Sequence, residues 1–99
     1  MDTQYVYAGQ RFRWDTNKAQ ANFKKHGIRF ELACEVFFDP FVALVDATVE
    51  DDAREAVIGL TEDWRLLFVV HVVREARVIR VISAREATRT ERRRYEDNG

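Results

Sequence analysis

Apolar and polar positions alternate most clearly across residues 65–85, RLLFVVHVVREARVIRVISAR. Two runs rich in Val, Leu and Ile flank the polar tetrapeptide Arg74-Glu75-Ala76-Arg77, the pattern of a β-hairpin. A turn over Glu75-Ala76, or over the whole tetrapeptide, sets Val73 against Val78, Val70 against Val81 and Val69 against Ile82. In that register one face carries Leu66, Phe68, Val70, Val72, Ile79 and Val81, and ends in Ser83 and Arg85. The other carries Leu67, Val69, Val73, Val78 and Ile82, interrupted by His71 and Arg80 directly across from each other. Such a pair on an apolar floor has two readings. It is a functional pair, or Arg80 meets a carboxylate and His71 is a half-buried neutral histidine.

The same patterning organises the rest of the chain. Residues 1–10 show no period and read as a flexible N-terminal extension. Arg11-Phe12-Arg13-Trp14 alternates as a short strand with Phe12 and Trp14 on one side. Asp15 or Thr16 caps a helix that runs to about His26, and Gly27 supplies the residue at which positive φ costs little. A second helix is expected from Phe30 to Phe38, stopped by Asp39-Pro40 because a residue before proline avoids the helical region. Strands follow at residues 41–45 and 54–61, with Gly59 marking a bulge or a close approach. An acidic turn, residues 46–53, separates them. After the hairpin, Thr88 with Glu91 forms a capping box for a short basic helix.

Composition narrows the class. The 99 residues, 46% hydrophobic and 33% charged, suit one domain spanning 1–99 with a real core. The single cysteine, Cys34, excludes an internal disulfide and fits a small core residue. No signal-peptide core or membrane-length apolar run occurs, so a cytoplasmic location is expected. The net charge of -1 conceals segregation. Cations dominate residues 11–29, acids dominate 31–63, and arginine dominates 74–94. Such asymmetry builds a basic face for a polyanion, or lets basic ends pair with an acidic middle.

Most cofactor chemistry lacks a motif. There is no zinc-spaced Cys/His set, no phosphate-binding glycine loop and no nucleophile elbow. Glu50-Asp51-Asp52 lacks the glycine and terminal glutamate of a calcium loop. No metal and no cofactor is expected. What remains is arginine, lysine, histidine and aromatic side chains, an inventory suited to metal-free RNA cleavage. There the 2′-hydroxyl attacks the adjacent phosphate, and the protein supplies a base, a proton donor and cations for the phosphorane charge. Aromatic rings such as Trp14 or Tyr95 can stack a splayed base.

Ordered motifs sharpen this reading. They begin with Trp14-Asp15-x-Asn17-Lys18-Ala19, Asn22, Lys25-His26-Gly27-x-x-Phe30-Glu31-x-Ala33 and Phe38-Asp39-Pro40. Arg54 and Gly59 follow, then Arg65-Leu66-Leu67 with Val69-Val70. Arg80-x-Ile82-Ser83-Ala84-Arg85-x-Ala87-Thr88 and Glu91-Arg92-x-x-Tyr95 close the series. Together, over roughly residues 12–96, they resemble the BrnT family of type II toxins. The chain departs from the family at residues 1–10 and at Thr16, where proline is frequent.

The resemblance implies an α+β, RelE-like fold. Its expected order is a short N-terminal strand, two helices, a four-stranded antiparallel sheet region and a short C-terminal helix. It implies an endoribonuclease that blocks translation and a BrnA-like ribbon-helix-helix antitoxin as partner. Operator DNA is reached only through that antitoxin, and a toxin dimer within the assembly is compatible with it. On this reading Arg80 and Arg85 bind phosphate, Lys25 adds a cation, and His71 or His26 moves protons, since imidazole titrates near neutral pH. Trp14, Lys24, Arg65, Arg89 and Tyr95 are the expected RNA contacts. Lys25, Arg80 and Arg85 are expected on one continuous positive surface. Arg85 has a structural alternative, tying the strand end to an acidic loop. The alternative for the whole chain is a non-enzymatic module whose basic face holds nucleic acid or a partner.

Overall fold

The computed structural model describes residues 1–48 and 53–98, with the backbone alone at 98. Half of the expected acidic turn, residues 49–52 with Glu50-Asp51-Asp52 among them, lies outside the described residues. The chain starts with a hairpin of β1 (Asp2–Tyr7) and β2 (Gln10–Asp15), then α1 (Thr16–His26) and α2 (Phe30–Ala33). A 3₁₀ segment (Cys34–Phe38) leads to β3 (Ala43–Asp46), β4 (Glu55–Leu60), β5 (Leu66–Val73), β6 (Ile79–Glu86) and α3 (Arg89–Asn98). The sheet runs β1-β2-β6-β5-β4-β3. Neighbours are antiparallel except β2 and β6, which are parallel, so the sheet is mixed and six-stranded.

Two expectations change here. Residues 1–10 are not a loose extension: β1 pairs along its whole length with β2, from Asp2 opposite Asp15 to Tyr7 opposite Gln10. Ala8 and Gly9, both at positive φ, close this hairpin with a two-residue turn. Alanine in the first turn position removes the usual Asn-Gly or Asp-Gly signal. The second helix is real but short, because after Ala33 the chain tightens into 3₁₀ geometry up to the extended Asp39. Its first-layer residues Phe30, Ala33, Cys34 and Val36 are fully buried.

The ends of α1 follow the expected chemistry. Asp15 accepts the Lys18 N–H at 2.9 Å, and Gly27, at φ 71°, donates its N–H to the Phe23 carbonyl. Thr88 and Glu91 exchange the two bonds of a capping box at the start of α3. Gly59 is a close approach: a Cβ there would lie 2.8 Å from the Val36 carbonyl oxygen.

The sheet separates two cores. Its first face presents Phe12, Trp14, Val57, Leu67, Val69, Val81 and Ala84 to Ile28, Phe30, Ala33, Cys34 and Val36. Each fully buried large side chain there contributes about 1.5–3 kcal/mol of transfer free energy. Asn22 of α1 fastens this layer, donating to the Ile28 and Ala84 carbonyls and accepting the Ala84 N–H. The second face carries a smaller core of Ala43, Ile58 and Leu66, closed by Phe68, Ala87 and Tyr95. Among the described residues no helix is long and apolar enough to cross a membrane.

The central hairpin takes a different register from the expected one. Val73 pairs with Ile79, not Val78, and His71 pairs with Val81. The cause is the turn. Ala76 and Arg77 both adopt left-handed backbone, lengthening the loop by one residue. That conformation costs roughly 1–2 kcal/mol per non-glycine residue. The first hairpin supports it, since Arg11 donates to the Ala76 carbonyl and Gln10 to the Arg77 carbonyl. A second shift, between Val70 and His71, then sets Val70 against Ser83 and Phe68 against Arg85.

Candidate functional site

Because directly paired residues share a face, the observed register redistributes the polar side chains. Arg80 (opposite Val72), Ser83 (opposite Val70) and Arg85 (opposite Phe68) all belong to the second face. Arg13 joins them, paired with Arg80 across the parallel β2–β6 ladder. Helix α3 packs on this face chiefly over β3 and β4, and reaches β6 through the bond from Arg85 to Glu91.

Arg80 and Arg85 each meet a carboxylate. Arg80 grips Asp2 of β1 with both terminal nitrogens, at 2.9 and 3.1 Å. This bond holds the Asp2 carboxyl below its ordinary range and raises Arg80. Arg85 forms a second fork with Glu91, at 2.8 and 2.9 Å, and lies over the Phe68 ring at 4.4 Å. Burial pushes Glu91 up, but the Arg85 bond and the Thr88 N–H outweigh it and hold the carboxyl below its usual value. The carboxylate alternative for Arg80 is therefore present, and Arg85 too is tied at its strand end, to Glu91 of α3 and not to an acidic loop. Beside Arg85, a cavity of about 640 Å³ opens between sheet and α3, lined by Phe68, Glu91, Arg93 and Arg94 among others.

His71 is not part of this face. It is 4% exposed, meets the Phe37 ring edge-on at 4.9 Å, and its Nε2 lies 3.8 Å from Glu55. Burial lowers its pKa, against a partly opposing pull from Glu55. The expected His71–Arg80 cleft does not exist, because the longer turn reverses Arg80 relative to His71.

The remaining expected residues scatter. Exposed Lys24 and Lys25 and half-buried His26 occupy the last turn of α1, in the layer over the first face. The single positive surface expected to join Lys25 to Arg80 and Arg85 is thus divided between the two sides of the sheet. Trp14 cannot stack a base: it is 2% exposed, packed against Phe30 and Tyr5. Tyr95 donates its hydroxyl to Asp39 at 2.5 Å; burial, then that bond, push it up to about 12. Arg65 pairs with Glu86 at 3.3 Å, and Arg89 is exposed at the start of α3.

Sequence reasoning missed Arg13 and Asp2. The alternation of Arg11-Phe12-Arg13-Trp14 signals that Arg13 faces away from the Phe12 core, but its neighbour Arg80 follows only from the parallel pairing. Cys34 is buried and donates its Sγ–H to the Phe30 carbonyl, and burial pushes the thiol up. It is a core residue.

A second concavity, of about 380 Å³, is rich in aromatic side chains, including Tyr7, Phe38, Phe41 and the 80% exposed Trp64. Its charged lining residues are Glu35, Asp39 and Glu62, without a cation. Its sign is wrong for an RNA backbone, which directs attention back to the arginine face.

A family profile described as the ribonuclease toxin BrnT of type II toxin–antitoxin systems matches residues 14–91. Among solved structures, the crystal structure of the Brucella abortus ribonuclease toxin BrnT is similar, at 25% identity and a TM-score of 0.56. That match covers 77% of this chain and 94% of the other. Among curated proteins no match was found.

Proposed function

The chain belongs to the BrnT ribonuclease toxins of type II toxin–antitoxin systems, and from that premise we propose that it cuts RNA on the sheet face bearing Arg80 and Arg85. As a ribonuclease toxin it is an RNA-cleaving enzyme with a cognate antitoxin. The cleavage we infer needs no metal. A 2′-hydroxyl gives its proton to water and bonds to its own phosphorus, the P–O5′ bond breaks, and O5′ leaves with a proton from water as a 5′-hydroxyl. The planar forks of Arg80 and Arg85 take up the charge that grows on the non-bridging oxygens. The observation that carries this reading is the register of β6. It sets Arg80, Ser83 and Arg85 on the partly uncovered second face, beside Arg13. Arg93 and Arg94 of α3 bring two further cations to the cavity next to Arg85, where they stand with the acids Glu91 and Asp97.

The wider biology follows the same proposal. RNA cleavage blocks translation in the cytoplasm. The antitoxin is a BrnA-like ribbon-helix-helix protein, and only through it does the toxin reach operator DNA. Co-expression with the protein encoded beside the toxin gene tests this: a stable, growth-neutral complex that binds its own promoter is expected.

The activity is tested with purified protein, RNA and excess EDTA. Cleavage leaving 2′,3′-cyclic or 3′-phosphate ends is expected. A folded Arg80→Ala protein should lose roughly 100- to 1000-fold in rate, the size of one lost transition-state charge contact. Intact RNA that is bound but uncut would leave only the binding-module reading.

A further inference from the structure

The pairing of Arg13 with Arg80 is unexpected on stability grounds. Like charges on directly paired residues of neighbouring strands repel, and apolar side chains would serve the ladder better. Asp15 acts on Arg80 only through space, and one carboxylate, Asp2, stands beside both arginines. It bonds Arg80 alone, while Arg13 feeds it only a longer-range attraction. Among the described residues Arg13 makes no hydrogen bond or ion pair, and its buried Nε has no partner. Arg13 is therefore the one guanidinium of the pair that no carboxylate bonds.

We propose that Arg13 and Arg80 form a phosphodiester-binding site which Asp2 fills from within, so that β1 carries a built-in competitor of the RNA. This rests on the reading that RNA lies on the second face. The chemistry of the occupant supports it. A carboxylate presents two oxygens and one negative charge to a guanidinium fork, as do the two non-bridging oxygens of a phosphodiester. Both partners reach solvent, the Asp2 side chain 41% exposed and the Arg80 side chain 24%. An ion pair at the surface opens at little cost and is screened by salt, so an incoming phosphate can displace it. The strand need not leave. β1 stays tied by its ladder to β2, by the Thr3–Thr16 hydroxyl bond and by the Met1 carbonyl on the Thr16 N–H. Only the Asp2 side chain has to swing aside. Arg13 then becomes the second cation on the same phosphate, since its guanidinium is bonded to no protein group among the described residues.

The test uses the full chain and a fluorescent, uncleavable 2′-O-methyl RNA oligonucleotide, titrated by anisotropy at two salt concentrations. Asp2→Asn should bind roughly three- to tenfold more tightly, and Arg13→Ala and Arg80→Ala several-fold more weakly, with a shallower salt dependence. In an Arg80→Ala background, Asp2→Asn should give almost no further gain, because the carboxylate acts through that arginine. Arg13→Lys and Arg80→Lys, which keep the charge, stand in if an alanine variant does not fold. Unchanged affinity in Asp2→Asn overturns the proposal. So does an equal gain with and without Arg80, which would mark a diffuse charge effect. Arg85→Ala separates the two levels. If it weakens binding while Arg13 and Asp2 variants do not, only this site fails. If all variants bind alike, the second face is not the RNA face.

Discussion

His71 and Arg80 sit on opposite faces of one hairpin, His71 across from Val81 against Phe37 and Arg80 across from Val72 on the partly uncovered side. The buried imidazole is held neutral, since its pKa in the fold is lowered, first by burial. The unfolded chain, with a histidine pKa near ~6.5, then binds more protons than the fold once the pH drops to that value. The stability contributed by the neutral ring is full above about pH 6.5 and is lost as pH falls through the lower folded value. His71→Phe keeps a ring against Phe37 and removes the titration. Its melting temperature should fall less steeply than wild type as the pH drops below about 6.5. RNA cleavage per folded molecule should survive this substitution. A folded but inactive His71→Phe protein would return the histidine to the chemistry.

Gly59 offers a prediction about packing alone. The 3₁₀ segment crosses β4 so closely that a Cβ on residue 59 would stand 2.8 Å from the Val36 carbonyl oxygen and 3.0 Å from its Cβ. Backbone is the obstacle, so it cannot rotate away. Gly59→Ala should destabilise the fold by about 1–3 kcal/mol, the range for overpacking a filled core. Urea denaturation measures this, and a change under 0.5 kcal/mol would show that the segment shifts freely.

These residues also show which parts of the structure the sequence discloses. Local signals were readable: the Asp15 and Gly27 ends of α1, the Thr88–Glu91 box, the stop at Asp39-Pro40 and the tight approach at Gly59. The alternation of β5 was also right, with Leu67, Val69 and His71 against Leu66, Phe68, Val70 and Val72. The register of β6 was not readable. It depends on left-handed Ala76 and Arg77, which no glycine announces and which contacts from Gln10 and Arg11 support. The same holds for β1, whose partner strand and Ala8-Gly9 turn carry no strong pattern. Arg80 stands out as a polar intrusion in an apolar strand, and Arg85 as the polar end of the same strand. Their partners Asp2 and Glu91, and Arg13 beside them, come from pairing that only the fold supplies.

Asn22 should prove indispensable to stability without touching RNA. Its amide spans α1, the Ile28 loop and β6, with bonds of 3.1 Å to Ile28 and of 2.8 and 3.1 Å to Ala84. It satisfies backbone groups of Ala84 that have no other strand beside them, as β2 pairs with β6 only at Ile79 and Arg80. Asn22→Leu leaves those buried groups unpaired, at about 1–3 kcal/mol for each. Asn22→Asp keeps the acceptor but loses both donor bonds and sets a carboxylate against two carbonyls. Both variants should melt well below wild type, and amide exchange at Ala84 should accelerate. Slow exchange at Ala84 in Asn22→Leu would mean that another group closes the edge.

Arg85 and Glu91 pose the sharpest question, because one bidentate pair can serve either the fold or the reaction. As a structural tie, Arg85 orients Glu91, which accepts the Thr88 N–H and so fixes the start of α3. As a phosphate ligand, Arg85 lends its fork to RNA, and Glu91 only holds it in readiness over Phe68. The two roles respond differently to removal of each partner. Glu91→Gln keeps a side chain able to complete the capping box while it weakens the hold on the guanidinium. Arg85→Ala removes the guanidinium itself. If the tie is all that matters, both variants should lose stability and, assayed well below their melting points, cut RNA like wild type. If Arg85 meets the phosphate, Arg85→Ala should fall roughly 100- to 1000-fold in cleavage rate while Glu91→Gln stays active. Arg85→Lys should recover part of the loss, since the ammonium keeps charge without the planar fork. The second pattern is expected. Cleavage rates, read beside the melting curves of the three variants, decide between them, and an active Arg85→Ala protein would remove this arginine from the site.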